Sequence, residues 1–193
     1  MRNFPRAILV LFVFFVALMP GFTVSQEPTQ DQEYMAAVTR MYETWMTRYK
    51  DWDAFNPHGR LLREQAAKFL SEYASKVEMK IMNTARYCEF KDLENADKTL
   101  KNSIIQSCML NIFYGTQWMF YPTRPLSKAE ALVTIIRVRE WKLPEADEAI
   151  WRKNYTIRAK ELWLSKESDP TIQDRPITRY EMSLLLYRAS QLK

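Results

Sequence analysis

Apolar side chains recur at intervals of three and four residues along most of this 193-residue chain. That spacing places them on one face of an α-helix. It predicts six helices, over about residues 33–50, 61–80, 100–113, 127–141, 145–164 and 178–191. Gly115 follows the third of these, where a helix commonly ends in a left-handed residue. No segment reads convincingly as a strand, so the pattern predicts an all-α fold.

Two of the helices begin with the same pattern of an apolar residue, a hydroxyl, a base, any residue and an acid. The two copies are Leu126-Ser127-Lys128-Ala129-Glu130 and Ile177-Thr178-Arg179-Tyr180-Glu181. The hydroxyl can accept a hydrogen bond from the backbone N–H three residues on, and the acid can accept one from the N–H of the hydroxyl residue. The side chains with this structural capping role are Ser127, Glu130, Thr178 and Glu181.

A third, altered copy of the capping pattern lies at Leu61-Leu62-Arg63-Glu64-Gln65. It keeps the base and has Gln as the acceptor, but Leu62 replaces the hydroxyl. Three copies at the start of alternate helices predict a threefold internal repeat.

The first 25 residues have the organisation of a secretory signal. Arg2 and Arg6 precede an uncharged apolar run over residues 7–19, and small residues up to Ser25 follow it. The run is shorter than the roughly 20 apolar residues that span a bilayer, which disfavours the alternative of a retained membrane anchor. No later stretch is apolar enough to cross a membrane. We therefore expect an exported, soluble protein with a flexible leader over residues 26–32 and one domain over residues 33–192.

Charge and composition exclude several classes of function. The chain has 28 basic and 23 acidic residues, and they are mixed along the sequence, which favours a solvated surface over nucleic-acid binding. His58 is the single histidine, so a metal site with several histidines cannot form. A wall-acting hydrolase would need only two carboxylates, but no motif selects such a pair. We expect no catalytic residues, no metal site and no cofactor.

Cys88 and Cys108 are the only cysteines. In an exported chain a disulfide between them is the favoured interpretation. It would close a loop of about 20 residues and stabilise the fold by roughly 3 kcal/mol. The alternative is two thiols, with Cys108 buried on the apolar face of its helix.

The repeat resembles that of the S-layer homology family, which consists of a helix, a glycine-marked loop, a Phe-x-Pro-like lead-in and Thr-Arg-Ala-Glu opening a second helix. The middle unit is similar along its length. Phe90-Lys91-Asp92-Leu93 resembles the opening of the family repeat, Gly115 marks the loop, and Phe120-Tyr121-Pro122 resembles the lead-in. The outer units are more altered. The three units cover about residues 33–80, 88–141 and 145–192.

The resemblance implies a pseudo-threefold bundle of helix-loop-helix repeats whose grooves bind an anionic cell-wall polysaccharide. The family uses the base of the capping pattern on the anionic groups of that glycan, and the corresponding residues here are Arg63, Lys128 and Arg179. A base at this position stands beside unpaired backbone N–H groups and the positive end of the helix dipole, which together attract a carboxylate. Lys128 is the weaker ligand, since an ammonium lacks the planar fork of a guanidinium. The alternative for each base is an ion pair with a neighbouring acid.

The resemblance therefore implies a non-catalytic module of the cell envelope, secreted or held at the cell wall or surface by binding a polysaccharide, with other envelope proteins as further partners. The alternative is an exported helical scaffold for protein interactions whose glycan grooves are degenerate. Five aromatic residues could stack on sugar rings, although burial in the core or a groove wall is favoured for most of them. They are Trp118, Tyr121, Trp141, Trp151 and Trp163.

Overall fold

A computed structural model describes residues 29–79, 88–140, 151–165 and 174–192. The regular structure of these segments is helical and includes no strand, which confirms the predicted all-α class. The helices are α1 (Gln30–Glu43), α2 (Trp52–Phe55), α3 (Arg63–Lys76), α4 (Lys101–Met109), α5 (Lys128–Glu140), α6 (Trp151–Glu161) and α7 (Arg179–Gln191), with a 3-10 turn over Leu93–Asn95. Within these ranges no helix is both long and apolar enough to cross a membrane. The predicted signal over residues 1–25 lies outside the described residues.

Each of the six predicted helices has a counterpart, but several ends differ from the prediction. α1 begins at Gln30 instead of residue 33, so residues 30–32 of the predicted leader are helical. The reason is a capping box, in which Thr29 and Gln32 each bond the other's backbone N–H. α1 also ends earlier than predicted, at Glu43. The short α2 and the 3-10 turn were not predicted.

The prediction that Gly115 ends a helix in a left-handed conformation is wrong. α4 ends at Met109, and the left-handed residue after it is Asn111, with φ of 58°. Gly115 has no positive φ. A Cβ on Gly115 would lie 2.5 Å from Cε1 of Phe90 and 2.7 Å from the carbonyl oxygen of Met119. Glycine is required there by close packing.

α1, α3, α4 and α6 end in the same way. A left-handed residue follows each helix, and the next N–H donates to a carbonyl five residues back, as in a Schellman motif. The left-handed residues are Trp45, Glu78, Asn111 and Trp163, with φ of 63°, 53°, 58° and 57°. The bonds run from Met46 to Met41, from Met79 to Ala74, from Ile112 to Ser107 and from Leu164 to Ala159, each at 2.9 Å.

The segments that lead into α3, α5 and α7 meet in a closed ring of backbone hydrogen bonds. The N–H of Leu61 donates to the carbonyl of Ile177 at 3.0 Å, that of Ile177 to Leu126 at 2.9 Å, and that of Leu126 to Leu61 at 2.8 Å. All three side chains are fully buried. The ring therefore brings the N-termini of the three helices together at one end of the molecule.

Each of these three helices packs on a helix that comes from another predicted unit. α3 packs on α4, α5 on α6, and α7 on α1. The first and last helices are also joined by an ion pair in which Arg188 donates to both carboxylate oxygens of Glu33, at 2.7 and 2.9 Å. One contiguous apolar core runs through the pairs. The chain thus closes on itself as a cycle of helix pairs.

The disulfide between Cys88 and Cys108 is present, with the two Cα atoms 5.8 Å apart. It joins the segment that begins at residue 88 to the last turn of α4. Cys108 is also buried in the core, so the bond fixes this segment against the interior of the fold.

Candidate functional site

The caps of α5 and α7 have the reciprocal hydrogen bonds of a capping box. Glu130 accepts from the N–H of Ser127 at 3.0 Å, and the Ser127 hydroxyl accepts from the N–H of Glu130 at 3.2 Å. Thr178 and Glu181 make the same two bonds, both at 3.2 Å. These four side chains are held by helix capping.

The cap of α3 is incomplete in a way that matters for the site. Gln65 accepts from the N–H of Leu62 at 3.3 Å, while Leu62 has no acceptor to offer in return. An uncharged amide therefore occupies the position that a carboxylate occupies at the start of α5 and α7.

Arg63 is buried, with 5% of its surface exposed. Its guanidinium donates to the carbonyl of Phe120 at 2.9 Å, to the carbonyl of Tyr114 at 3.1 Å and to Glu130 at 3.0 Å. It also lies over the rings of Phe113 and Phe120, at 5.0 and 4.9 Å from their centroids. The donors of this base are engaged by the protein itself, between the start of α3 and the lead-in of α5.

Burial and neighbouring charges shift the pKa values of both members of the Arg63–Glu130 ion pair. Burial lowers the pKa of Arg63 to about 10 despite the opposing charge of Glu130, so the guanidinium is still charged at neutral pH. Burial alone would raise the pKa of Glu130, but hydrogen bonds from Arg124 and the Ser127 N–H, with the charge of Arg63, bring it below its ordinary value. Both groups are therefore ionised at neutral pH.

Lys128 is buried to a similar degree, with 6% of its surface exposed. Its ammonium lies 3.7 Å from a carboxylate oxygen of Glu181, and Arg175 binds the same carboxylate. Burial raises the pKa of Glu181, but hydrogen bonds from Arg175 and the Thr178 N–H outweigh it and leave the pKa below its ordinary value. The second base thus also faces an ionised acid.

Arg179 differs from the other two bases because it faces Gln65. Its Nη1 lies 3.5 Å from the amide oxygen of Gln65, a long distance for a hydrogen bond. Its Nε is buried and donates to no atom of the described residues. The guanidinium lies over the rings of Phe55 and Phe69, at 5.2 and 5.8 Å from their centroids. Burial lowers the pKa of Arg179, with an opposing effect from Tyr49, but a guanidinium keeps its charge.

A cavity of about 180 Å³ lies beside Arg179. The loop after α1, the first half of α3 and the segment before α4 contribute to its lining. Three cations and one acid are among the lining residues, namely Arg48, Lys68, Arg179 and Asp97. Asp97 already accepts from the N–H and the hydroxyl of Thr99, both at 2.8 Å, and these bonds lower its pKa. The cavity therefore has an excess of positive charge.

Tyr49 adds a polar group to this cavity. Its hydroxyl accepts from Arg48 at 3.1 Å, and that bond lowers the pKa of Tyr49. Phe69 and Leu100 give the cavity apolar lining as well. Such a mixture of cations, hydroxyl and apolar surface suits an organic anion such as a carboxylated sugar.

A second cavity, of about 160 Å³, also has three cations among its lining residues: Arg40, Lys76 and Arg139. They lie in the last turns of α1, α3 and α5, where a positive charge complements the helix dipole. Arg139 also donates to the carbonyl of Leu192 at 2.9 Å. Interaction with the helix dipoles therefore explains the positive charges that line this cavity.

The sequence-based interpretation missed the lead-in of the first unit. Phe55-Asn56-Pro57 has the same Phe-x-Pro pattern as Phe120-Tyr121-Pro122, and the middle residue is left-handed in both, with φ of 50° and 59°. The two proline carbonyls accept from the N–H groups of Tyr180 and Glu64, at 2.9 and 3.1 Å. This signal was present in the sequence. Arg48 and Lys68 carried no comparable signal, because only tertiary packing brings them to Arg179.

A scan of the chain against protein-family models found no match, and a search of curated protein sequences found none either. The resemblance to the S-layer homology family therefore stays a prediction that rests on the residues quoted for it.

Proposed function

We propose that the chain is a non-catalytic module of the cell envelope that binds an anionic cell-wall or surface polysaccharide in the cavity beside Arg179. The observation that carries this proposal is the amide of Gln65, which faces Arg179 where carboxylates face the other two bases. No acid among the described residues faces this guanidinium, and two further cations line its cavity. Such a site favours a ligand that brings its own negative charge.

The arrangement of the helices supports the same proposal. In a pseudo-threefold bundle of the units 33–80, 88–141 and 145–192, equivalent segments are expected to meet around one axis. The closed ring of three hydrogen bonds at Leu61, Leu126 and Ile177 fits this arrangement.

Of the three bases predicted to bind a glycan, the proposal assigns binding to Arg179 alone. Arg63 is engaged by two carbonyls and Glu130, and Lys128 is paired with Glu181. Both bases hold neighbouring units together in our account. Binding then uses the groove of Arg179, and the exported protein attaches to the cell wall or surface through it, alone or with other envelope proteins.

Sedimentation with isolated cell walls of the source organism tests the proposal. We expect the protein without residues 1–25 to sediment with the walls, and Arg179→Gln to weaken binding by roughly 10- to 100-fold, since a hydrogen bond to a charged group is worth about 1.5–3 kcal/mol. Lys153→Gln is the matched control, because it removes one charge from an exposed position outside the cavity. Equal binding of Arg179→Gln and the wild type would overturn the proposal.

The internal engagement of Arg63 and Lys128 also favours the second candidate, an exported scaffold for protein interactions with degenerate grooves. That candidate is supported if the protein fails to sediment with purified walls but recovers one defined envelope protein in a pull-down that Arg179→Gln leaves unchanged.

A further inference from the structure

Three tryptophans of the described residues occupy positions where the backbone and the solvent both disfavour them, and two of these positions are helix ends. The third is Trp118, which lies in the turn between Thr116 and Met119 with φ of 65° and 54% of its surface exposed. Trp45 and Trp163 follow α1 and α6 in the left-handed conformation, and 78% and 79% of their surfaces are exposed. A bulky side chain rarely adopts positive φ, whereas glycine and asparagine do so readily. At the equivalent position after α4, the chain has Asn111.

The helix end does not require tryptophan. The cap after Asn111 has the same hydrogen bond, of the same length, as the cap after Trp45. The exposed indole also adds little to the core. Strained, exposed residues of this kind are found at functional sites more often than elsewhere, which makes the surface next to each of these two helix ends a candidate for ligand contact.

Trp45 has such a surface. Residues 46–49 follow it directly, and all four line the Arg179 cavity. The Cα atoms of Trp45 and Met46 are one peptide unit apart, about 3.8 Å. The backbone of Trp45 therefore borders the Arg179 cavity, while Thr44 on its other side lines the second cavity, whose three cations lie at helix ends. For Trp163, nothing in the described residues indicates what would cover the ring.

We propose that Trp45 is a stacking platform for a sugar ring of the polysaccharide whose anionic group enters the Arg179 cavity. The electron-rich face of the indole attracts the C–H groups on one face of a pyranose, and the neighbouring ring of the same chain presents the anion to Arg179. This inference rests on the proposed function, and it adds a specificity for a cyclic sugar next to the charged one.

Asparagine at position 45 provides a variant that should fold. Trp45→Asn copies the residue that the chain itself uses after α4, so we expect a melting temperature equal to or above that of the wild type. Trp45→Tyr keeps an aromatic face. Trp163→Asn makes the same change in the same backbone conformation outside the Arg179 cavity, and it is the matched control.

The experiment measures the affinity of these variants for isolated cell walls, beside wild type and Arg179→Gln. We expect Trp45→Asn to bind about tenfold more weakly, in line with the loss of one buried indole face, and Trp45→Tyr and Trp163→Asn to bind within about twofold of wild type.

Three results would overturn the inference while leaving the proposed function in place. One is wild-type affinity of Trp45→Asn together with weak binding of Arg179→Gln. Another is an equal loss of affinity in Trp45→Asn and Trp163→Asn, which would show that the effect does not depend on the position of the indole beside the cavity. The third is tryptophan-dependent binding to anionic phospholipid vesicles that contain no wall. Failure of the wild type to bind walls would instead overturn the proposed function and this inference together.

Discussion

The side chain opposite each of the three bases determines what that base can do. Glu130 faces Arg63, and Glu181 faces Lys128. A buried charge that is already paired with a carboxylate has little left to offer a ligand, and the pair stabilises the fold only while both partners remain. Gln65 can align the guanidinium of Arg179 but cannot neutralise it.

Removing Arg63 should therefore destabilise the protein strongly without any ligand present. We expect Arg63→Ala to lower the free energy of unfolding by about 2–4 kcal/mol, because it removes charged hydrogen bonds to the Phe120 carbonyl and to Glu130, which keeps its bond from Arg124. Urea unfolding checks this, with Lys153→Gln expected to stay within about 0.5 kcal/mol of wild type. A loss below about 1 kcal/mol would mean that the buried pair is unimportant for folding.

At the scale of the element, apolar periodicity does not show where each helix ends. The apolar positions Met46 and Tyr49 continue the helical spacing beyond Glu43, so the sequence predicts a longer α1. The backbone instead turns at Trp45, with φ of 63°. Tryptophan gives no warning of a left-handed residue, whereas the caps of α5 and α7 were recognisable from their hydroxyl and acid.

Acidification should weaken these caps. The pKa values of Glu130 and Glu181 are lowered in the folded protein, so their contribution to stability is complete above the unfolded value of about 4.3 and is lost as the pH falls through the folded values. We expect the urea midpoint to fall as the pH drops below about 4.3. Glu130→Gln should flatten this dependence, and an unchanged midpoint in the wild type below that pH would contradict the assigned shifts.

The disulfide ties the segment that begins at Cys88 to the end of α4. We expect Cys88→Ala with Cys108→Ala to cost roughly 3 kcal/mol, which corresponds to a fall of about 6–12 °C in the melting temperature for a chain of this size. Calorimetry with and without reductant checks the value. Reductant should shift the wild type and leave the double variant unchanged; no shift in the wild type would show that the bond contributes nothing.

On the scale of the whole molecule, the closed cycle of helix pairs makes the units interdependent. No predicted unit contains its own pair, since α3, α5 and α7 each pack on a helix from another unit. The ring at Leu61, Leu126 and Ile177 lies where all three meet. Opening one unit therefore disrupts the contacts of the others.

Hydrogen exchange should report this interdependence. We expect the amides of Leu61, Leu126 and Ile177 to exchange only through global unfolding, with equal free energies of opening, because each donates into the ring from a fully buried position. Exchange measured by NMR across low denaturant concentrations checks the three values. A ring amide that opens well before the other two would show that its unit unfolds separately.

Much of this architecture could be predicted from local signals, and the site could not. The apolar spacing, the caps of α5 and α7 and the two cysteines are encoded over short stretches of sequence. The position of Arg179 at a cap was also visible. Arg179 faces an amide and not a carboxylate because position 65, which is 114 positions away, is Gln. The charge of its cavity depends on Arg48 and Lys68. Contacts at such separations follow from the assembled core.

The affinity of Gln65→Glu for a carboxylated oligosaccharide released from the cell wall tests the central claim most directly. The new carboxylate can keep the hydrogen bond to the N–H of Leu62 and would face Arg179 as Glu130 faces Arg63. We expect unchanged or higher thermal stability and at least about tenfold weaker binding by titration calorimetry, since the guanidinium becomes paired. Wild-type affinity in a folded Gln65→Glu protein would contradict the claim that the unpaired charge of Arg179 holds the glycan.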